Sequence, residues 1–201
     1  MKSLIINCLD KADDISVSLI NSFVEKLEEL GSEVKSHTIR NLEINPCYSC
    51  SAQYSFEYSD KCRCEDDMNK LLPDFREYNN WVFISRINKK GALIYLKNVL
   101  DRMEPLFQPV SFLDNGFEIG GMPEQKITGN VLFLGIMDHE PDIFAMNLVE
   151  HIDSISILFN KNYASTIFAD TNNLDLFYQE ISEKTPLLLK HNSQMIHEEV
   201  A

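Results

Sequence analysis

The chain has 201 residues, of which 44% are hydrophobic and 24% charged, and its formal net charge is −13. This length and mix suit one globular domain with one sizeable core, so we expect a single domain over residues 1–201. The negative charge argues against nucleic acid and anionic membranes as partners, because both attract basic surfaces.

Short apolar runs alternate with amphipathic stretches along the chain. The strand candidates are residues 3–8, 33–39, 81–85, 131–135 and 165–169. The stretches with helical spacing of apolar side chains are residues 15–30, 68–75, 93–103, 144–159 and 174–190. This alternation is typical of an α/β protein with a parallel sheet covered on both faces, and five strands suit a doubly wound sheet of order 2-1-3-4-5.

Pro73 falls inside the second helical stretch. Proline lacks an amide hydrogen and its ring crowds the preceding helical turn. We therefore predict that this helix bends or stops before Phe75.

The stretch from Pro105 to Gly129 is rich in turn-forming residues and is predicted to be a long excursion. Its large apolar side chains include Phe107, Phe112, Phe117 and Met122. Exposed apolar side chains in such a segment usually mark a partner surface, so we predict a homodimer or larger assembly formed partly by it.

Three segments carry a resemblance to a known family. They are residues 31–50, ending in Pro46-Cys47-Tyr48-Ser49-Cys50, residues 62–69 with Asp66-Asp67-Met68, and Leu96-Lys97-Asn98-Val99-Leu100-Asp101-Arg102. In this order and spacing they resemble the NAD(P)H-dependent FMN reductase and iron–sulfur flavoprotein group. The resemblance implies a flavodoxin-like fold, bound FMN, electron transfer from a reduced nicotinamide or another carrier, and a dimer or larger assembly. One branch of the family adds an iron–sulfur cluster, held by cysteines after the second strand.

The resemblance places the flavin phosphate in the loop after the first strand, at the start of the next helix. There Lys11 takes the place of the family's arginine, and Ser16 keeps its final hydroxyl. The loop contains no glycine, has Leu9 in place of another hydroxyl, and carries the aspartates at positions 10, 13 and 14. An aspartate that caps the helix would occupy the N–H groups that a phosphate needs, and we favour this interpretation over phosphate binding.

In the family, the loop that ends the third strand holds the flavin ring. Ser85 and Ile87 match that loop, whereas its proline and both of its aromatic residues are absent here. We therefore expect FMN to bind weakly or not at all in the family's usual position.

Two further features lie near these loops. Arg86, Lys89 and Lys90 form a small basic cluster that either meets an anionic ligand or an acidic partner, or is a solvated loop. His139, after the fourth strand, is either a proton donor to a reduced flavin or an ordinary surface histidine. In both cases we favour the second interpretation.

The chain has five cysteines and no recognisable secretion signal, so we expect it in the reducing cytoplasm. Cys47-x-x-Cys50 and Cys62-x-Cys64 place four thiols in one loop, where they could hold an iron–sulfur cluster or zinc. Gln53 stands where the cluster-binding branch has its third cysteine. We therefore favour packed thiols or a redox-active Cys47–Cys50 pair over a metal site, and predict that this pair lies within disulfide reach.

Two functions stay open at this point. The first is an FMN-dependent oxidoreductase or electron carrier of the NAD(P)H-dependent FMN reductase type, with a small-molecule or protein redox partner. The second is a degenerate flavodoxin-like relative that has lost tight FMN binding and acts as a binding or partner protein. No side chain is an obvious acid, base or nucleophile for the first function.

Overall fold

The computed structural model describes residues 1–11, 13–48, 62, 64–88, 91–92, 94–106, 112–113, 116–117, 129–137, 143–159, 161 and 163–189. Its strands are β1 (Lys2–Asn7), β2 (Glu33–Thr38), β3 (Asn80–Asn88), β4 (Gly91–Ala92), β5 (Phe112–Leu113), β6 (Gly116–Phe117), β7 (Asn130–Met137) and β8 (Tyr163–Asp170). Its α-helices are α1 (Asp14–Glu29), α2 (Met68–Glu77), α3 (Ile94–Asp101), α4 (Ile143–Leu158) and α5 (Leu174–Leu188). None of the described helices combines the length and apolar character that crossing a bilayer would require.

The five long strands form a parallel sheet of order β2-β1-β3-β7-β8. This confirms the predicted order 2-1-3-4-5 and the flavodoxin-like architecture. The short strand β4 pairs antiparallel with the end of β3, and β5 and β6 form a separate hairpin. The strand order reverses between β1 and β3, and ligands of open α/β sheets bind at the carboxyl ends of the strands at such a point.

Two hydrophobic cores cover the two faces of the sheet. Alternate residues of the central strands enter opposite cores, so that Trp81 and Phe83 pack beneath α2, α3 and α4, while Val82 and Ile84 pack beneath α1 and α5. Strands that are buried on both faces need almost continuous apolar sequence. This explains why β3 and β7 read as unbroken apolar runs.

Of the two outcomes predicted for the second helix, a stop before Phe75 is wrong, and a bend at Pro73 stays a prediction. Helix α2 continues to Glu77 with Pro73 inside it. Pro73 is exposed, whereas Leu71 and Phe75 are buried in the core. Burial of each such side chain contributes about 1.5–3 kcal/mol, and together the two offset the cost of about 3 kcal/mol that a proline in a helix interior carries.

The predicted excursion after Pro105 lies mostly outside the described residues. Within it, the structure describes the end of a 3₁₀ helix (Glu104–Leu106), the β5–β6 hairpin and Gly129. Phe107, Met122 and the side chains of Phe112 and Phe117 are outside the described part. The homodimer therefore stays a prediction.

We predict that Gly129→Ala strongly destabilises the fold. Gly129 has φ +124°, and an added Cβ would lie 2.1 Å from the backbone oxygen of Asn79. Because this contact involves backbone rather than a flexible side chain, we expect a loss of roughly 3 kcal/mol in the free energy of unfolding, measured in urea.

Gly31→Ala is the matched control. Gly31 also has a positive φ, +79°, but an added Cβ would meet nothing within 4 Å. Its left-handed backbone alone should cost about 1 kcal/mol. Equal losses in the two variants would show that the close approach of Gly129 to Asn79 has no energetic importance.

Candidate functional site

The loop that follows β1 runs beside the end of β3 at the point where the strand order reverses. The Cys8 amide donates to the Ile84 carbonyl at 2.8 Å, and the Leu9 amide donates to Asn7 Oδ1 at 3.1 Å. Cys8 and Leu9 are both buried. Burial raises the pKa of the Cys8 thiol well above its ordinary value, so Cys8 is a packed core thiol.

Asp13 caps helix α1. Its Oδ1 accepts a hydrogen bond of 2.9 Å from the Ser16 amide, which is the interaction that the aspartates of this loop were expected to make. This hydrogen bond lowers the pKa of Asp13 below its ordinary value, and the positive charges of Arg86 and Lys11 lower it further. The cap is therefore a carboxylate at neutral pH.

Arg86 reaches from β3 to this cap. Its Nη2 makes an ion pair with Asp13 Oδ2 and also donates to the Ser16 hydroxyl at 3.0 Å. Ser16 is fully buried and the Arg86 side chain is 19% exposed. Within the described part of the chain, no acceptor reaches the buried Arg86 Nε. The guanidinium thus bridges the third strand and the first helix.

The other residues predicted from the flavin loops are placed differently. Lys11 is exposed at the loop surface. Ser85 is buried and its hydroxyl donates to the Arg86 carbonyl at 3.3 Å. Ile87 belongs to the core, where a Cβ added to Gly135 would lie 2.6 Å from its Cδ1. The side chains of Ser85 and Ile87 therefore lie in the interior, and only their backbone is available to a ligand in the crevice.

The sequence analysis assigned Arg86 to a solvated basic cluster and missed its contact with the start of α1. The alternation of side chains along β3 could have shown which face of the sheet Arg86 lies on. Val82 and Ile84 face helices α1 and α5, and Arg86 follows them with the same parity. This parity places Arg86 on the face where α1 begins. Lys89, Lys90 and His139 lie outside the described residues.

A second polar cluster holds the segment that carries the cysteines. The Asp66 carboxylate accepts two hydrogen bonds from the Arg102 guanidinium, at 2.7 and 2.8 Å, and both side chains are at most 1% exposed. Asp66 also accepts from the Asn45 amide at 3.0 Å, and Arg102 donates to the Asn45 carbonyl at 2.8 Å. Burial alone would raise the pKa of Asp66, but the hydrogen bonds from Arg102 and from backbone amides lower it overall.

Cys62 and Cys64 are tied to this cluster. Arg102 Nε lies 3.1 Å from Cys62 Sγ, and the Asn69 side-chain amide donates to the carbonyls of Cys62 and Cys64, both at 3.0 Å. Burial raises the pKa of the Cys64 thiol, and the adjacent Cys62 contributes in the same direction. The structure therefore brings these two thiols together, as predicted for a shared loop.

The structure offers no support for the four-cysteine metal site. Among the described residues, no three His, Cys, Asp or Glu side chains are grouped so that they could hold a metal ion. Cys47 is partly buried, and Cys50 lies outside the described residues. The predicted proximity of Cys47 and Cys50 thus stays a prediction.

Comparison with known proteins places this geometry in context. No protein-family model matches the sequence. An iron–sulfur flavoprotein of Archaeoglobus fulgidus is 30% identical to the chain over 88 residues. The similar segment covers 44% of this chain and 44% of that relative, so the chain spans less than half of the relative's length.

Solved structures share the fold over nearly the whole chain. An FMN-dependent NADH-azoreductase from Bacillus anthracis in complex with FMN has a TM-score of 0.67 and 16% identity, covering 94% of this chain and 99% of that one. An NAD(P)H:quinone oxidoreductase from Methanothermobacter marburgensis has a TM-score of 0.63 and 13% identity, covering 95% and 98%. These likenesses show that the chain has the flavodoxin-like fold.

We predict that Arg102→Met lowers the free energy of unfolding by about 3–5 kcal/mol, because it leaves the buried Asp66 carboxylate without its cation. Lys97→Met is the matched control, since Lys97 pairs with Asp101 on the exposed face of α3, the helix that Arg102 follows, and it should change stability by less than about 0.5 kcal/mol. Similar small losses in both variants would contradict the structural role of the buried pair.

The contribution of Asp66 should depend on pH. Because its pKa is lower in the folded chain than in the unfolded chain, its stabilising effect is complete above the unfolded value of about 3.9 and is lost as the pH falls through the folded value. We therefore expect the stability difference between the natural protein and Asp66→Asn to be constant from about pH 5 to 7 and to shrink below about pH 4. Denaturant unfolding at a series of pH values measures it, and a difference that does not shrink as the pH falls below about 4 would contradict the assignment.

Proposed function

We propose that this chain, a flavodoxin-like protein similar in sequence to an iron–sulfur flavoprotein, is a flavin-dependent oxidoreductase or electron carrier. The observation that carries the proposal is the reversal of strand order between β1 and β3, because open α/β sheets bind their ligands in the crevice at the carboxyl ends of the strands at such a point. Solved proteins with the same fold are named as FMN-dependent NADH-azoreductase and NAD(P)H:quinone oxidoreductase. A reduced nicotinamide is the corresponding electron donor, and a small molecule or protein is the acceptor.

The rim of this crevice is suited to an aromatic ligand. Helices α1 and α4 follow parallel strands, and α3 follows the short strand β4 that returns along the end of β3, so all three begin at the carboxyl edge of the sheet. Each has an exposed isoleucine in its first turn, namely Ile15, Ile94 and Ile143. Helix α1 packs on one face of the sheet, and helices α3 and α4 pack on the opposite face. Apolar side chains on both sides of a crevice favour a flat apolar ring system between them.

The phosphate end of the crevice does not fit FMN in the family's usual position. Asp13 already accepts from the helix amide that a phosphate would use, and it pairs with the nearby Arg86. Together with Arg86, the loop brings three carboxylates (Asp10, Asp13 and Asp14) against two cations (Lys11 and Arg86). A phosphate dianion would therefore meet like charge at this position.

A second function is supported by this same contact. In it the chain keeps the fold, does not bind flavin, and acts as a binding or partner protein. The internal pair between Asp13 and Arg86 satisfies groups that a cofactor would otherwise engage. Flavin titration separates the two functions.

We predict that the purified protein is colourless and binds FMN with a dissociation constant in the micromolar range. Losses at the phosphate and ring ends of about 4 kcal/mol would weaken a nanomolar site roughly a thousandfold. Quenching of flavin fluorescence measures the affinity, and oxidation of NADH or NADPH with excess FMN measures the activity. No quenching by about 200 μM protein, a rough upper limit for a specific weak site, would support the second function instead.

A matched pair of substitutions locates the binding site. Ile143→Glu places a charge in the first turn of α4, at the crevice, whereas Ile157→Glu places the same charge in the last turn of the same helix. Both isoleucines are exposed, so neither variant should unfold. We expect Ile143→Glu to weaken flavin binding at least about fivefold, roughly 1 kcal/mol, and Ile157→Glu to leave it unchanged. Equal effects would place the flavin elsewhere.

A further inference from the structure

We propose that Asp13 is a specificity determinant that selects against the 5′-phosphate of a flavin, so that the crevice prefers riboflavin to FMN. This inference rests on the proposed function, namely that the crevice binds a flavin. It names the chemical class of the ligand more narrowly, as an isoalloxazine with an uncharged ribityl chain. Three observations carry it.

The first observation is that Asp13 uses both of its carboxylate oxygens as an anionic ligand would. Oδ1 accepts from the Ser16 amide at 2.9 Å, and Oδ2 pairs with Arg86 Nη2. A helix amide and a guanidinium are the two donors that most favour a phosphate oxygen. The chain therefore supplies its own anion at the position of a flavin phosphate.

The second observation is that the Ser16 hydroxyl is also engaged. It lies 3.0 Å from Arg86 Nη2 and is fully buried. A phosphate that used this hydroxyl would have to displace the guanidinium contact. The neutral end of a ribityl chain does not require this exchange.

The third observation is the sign of the surrounding charge. A phosphate could replace Asp13 on Arg86 only if the carboxylate moved aside, and Asp13 is tethered to the same turn of α1. Its charge would stay within a few ångströms of the phosphate. Like charges at such distances oppose binding of the dianion, whereas riboflavin adds no charge.

The test is the ratio of the dissociation constants of FMN and riboflavin, measured by fluorescence quenching for three proteins. For the natural chain we expect riboflavin to bind at least about tenfold more tightly than FMN, a difference of roughly 1.4 kcal/mol. In Asp13→Asn the ratio should shift at least about tenfold towards FMN, because asparagine still caps the helix but carries no charge. Asp14→Asn removes the same charge one residue further on, from an exposed side chain, and should change the ratio less than about threefold.

The outcomes separate this inference from the proposed function. If the natural chain binds FMN as tightly as riboflavin, or if Asp13→Asn shifts the ratio no more than Asp14→Asn, the role of Asp13 is refuted while flavin binding stands. If no flavin binds to any of the three proteins, both proposals fail. If the natural chain binds neither flavin but Asp13→Asn binds FMN, the preference for riboflavin and flavin binding by the natural chain are both refuted, and Asp13 acts only as the group that excludes the phosphate. Circular dichroism of all three proteins verifies that the fold is retained.

Discussion

The ion pair between Arg86 and Asp13 joins two elements that the fold places on either side of its ligand crevice. Arg86 belongs to β3 and Asp13 precedes α1, which follows β1. The pair caps the start of α1, gives the guanidinium a carboxylate partner and engages the buried Ser16 hydroxyl. A ligand that brought an anion to this position would compete with a carboxylate of the protein for the same amide and guanidinium.

The residues that carry the sequence resemblance are engaged elsewhere. Asp66 and Arg102 come from two of the three resembling segments, and they form a buried pair that also holds Asn45 from the third. Their position explains the spacing of these segments, because each supplies one part of a single polar cluster. The resembling residues therefore account for the hydrogen bonds that hold the cysteine-bearing segment against the start of α2 and the end of α3. The resemblance says little about the crevice, where the family's side chains are largely replaced.

The fold could be predicted from the sequence because the spacing of apolar residues along the chain marks most of its strands and helices. Strands buried on both faces and amphipathic helices are local patterns, and the cap at Asp13 is a local signal as well. Helix α2 was misjudged at Pro73, since a local rule on proline gave way to the burial of Leu71 and Phe75. The pair of Arg86 with Asp13 spans 73 positions and required knowledge of which strands are neighbours. The alternation of side chains along β3 could have shown on which face of the sheet Arg86 lies, but not that its partner is Asp13.

Helix α3 runs from the carboxyl edge of the sheet to the cluster of Asp66 and Arg102. Ile94 begins it at the rim of the crevice, and Arg102 follows its end and contacts Cys62. Eight residues at 1.5 Å each make this helix about 12 Å long, so the thiols and the crevice are separated by about one helix length. Asn98, on the same helix, donates to the Ile44 carbonyl at 3.0 Å and holds the cysteine segment along it. A substitution that shifts α3 would therefore alter the crevice rim and the environment of Cys62 together, whereas one at Asp13 would alter the crevice alone.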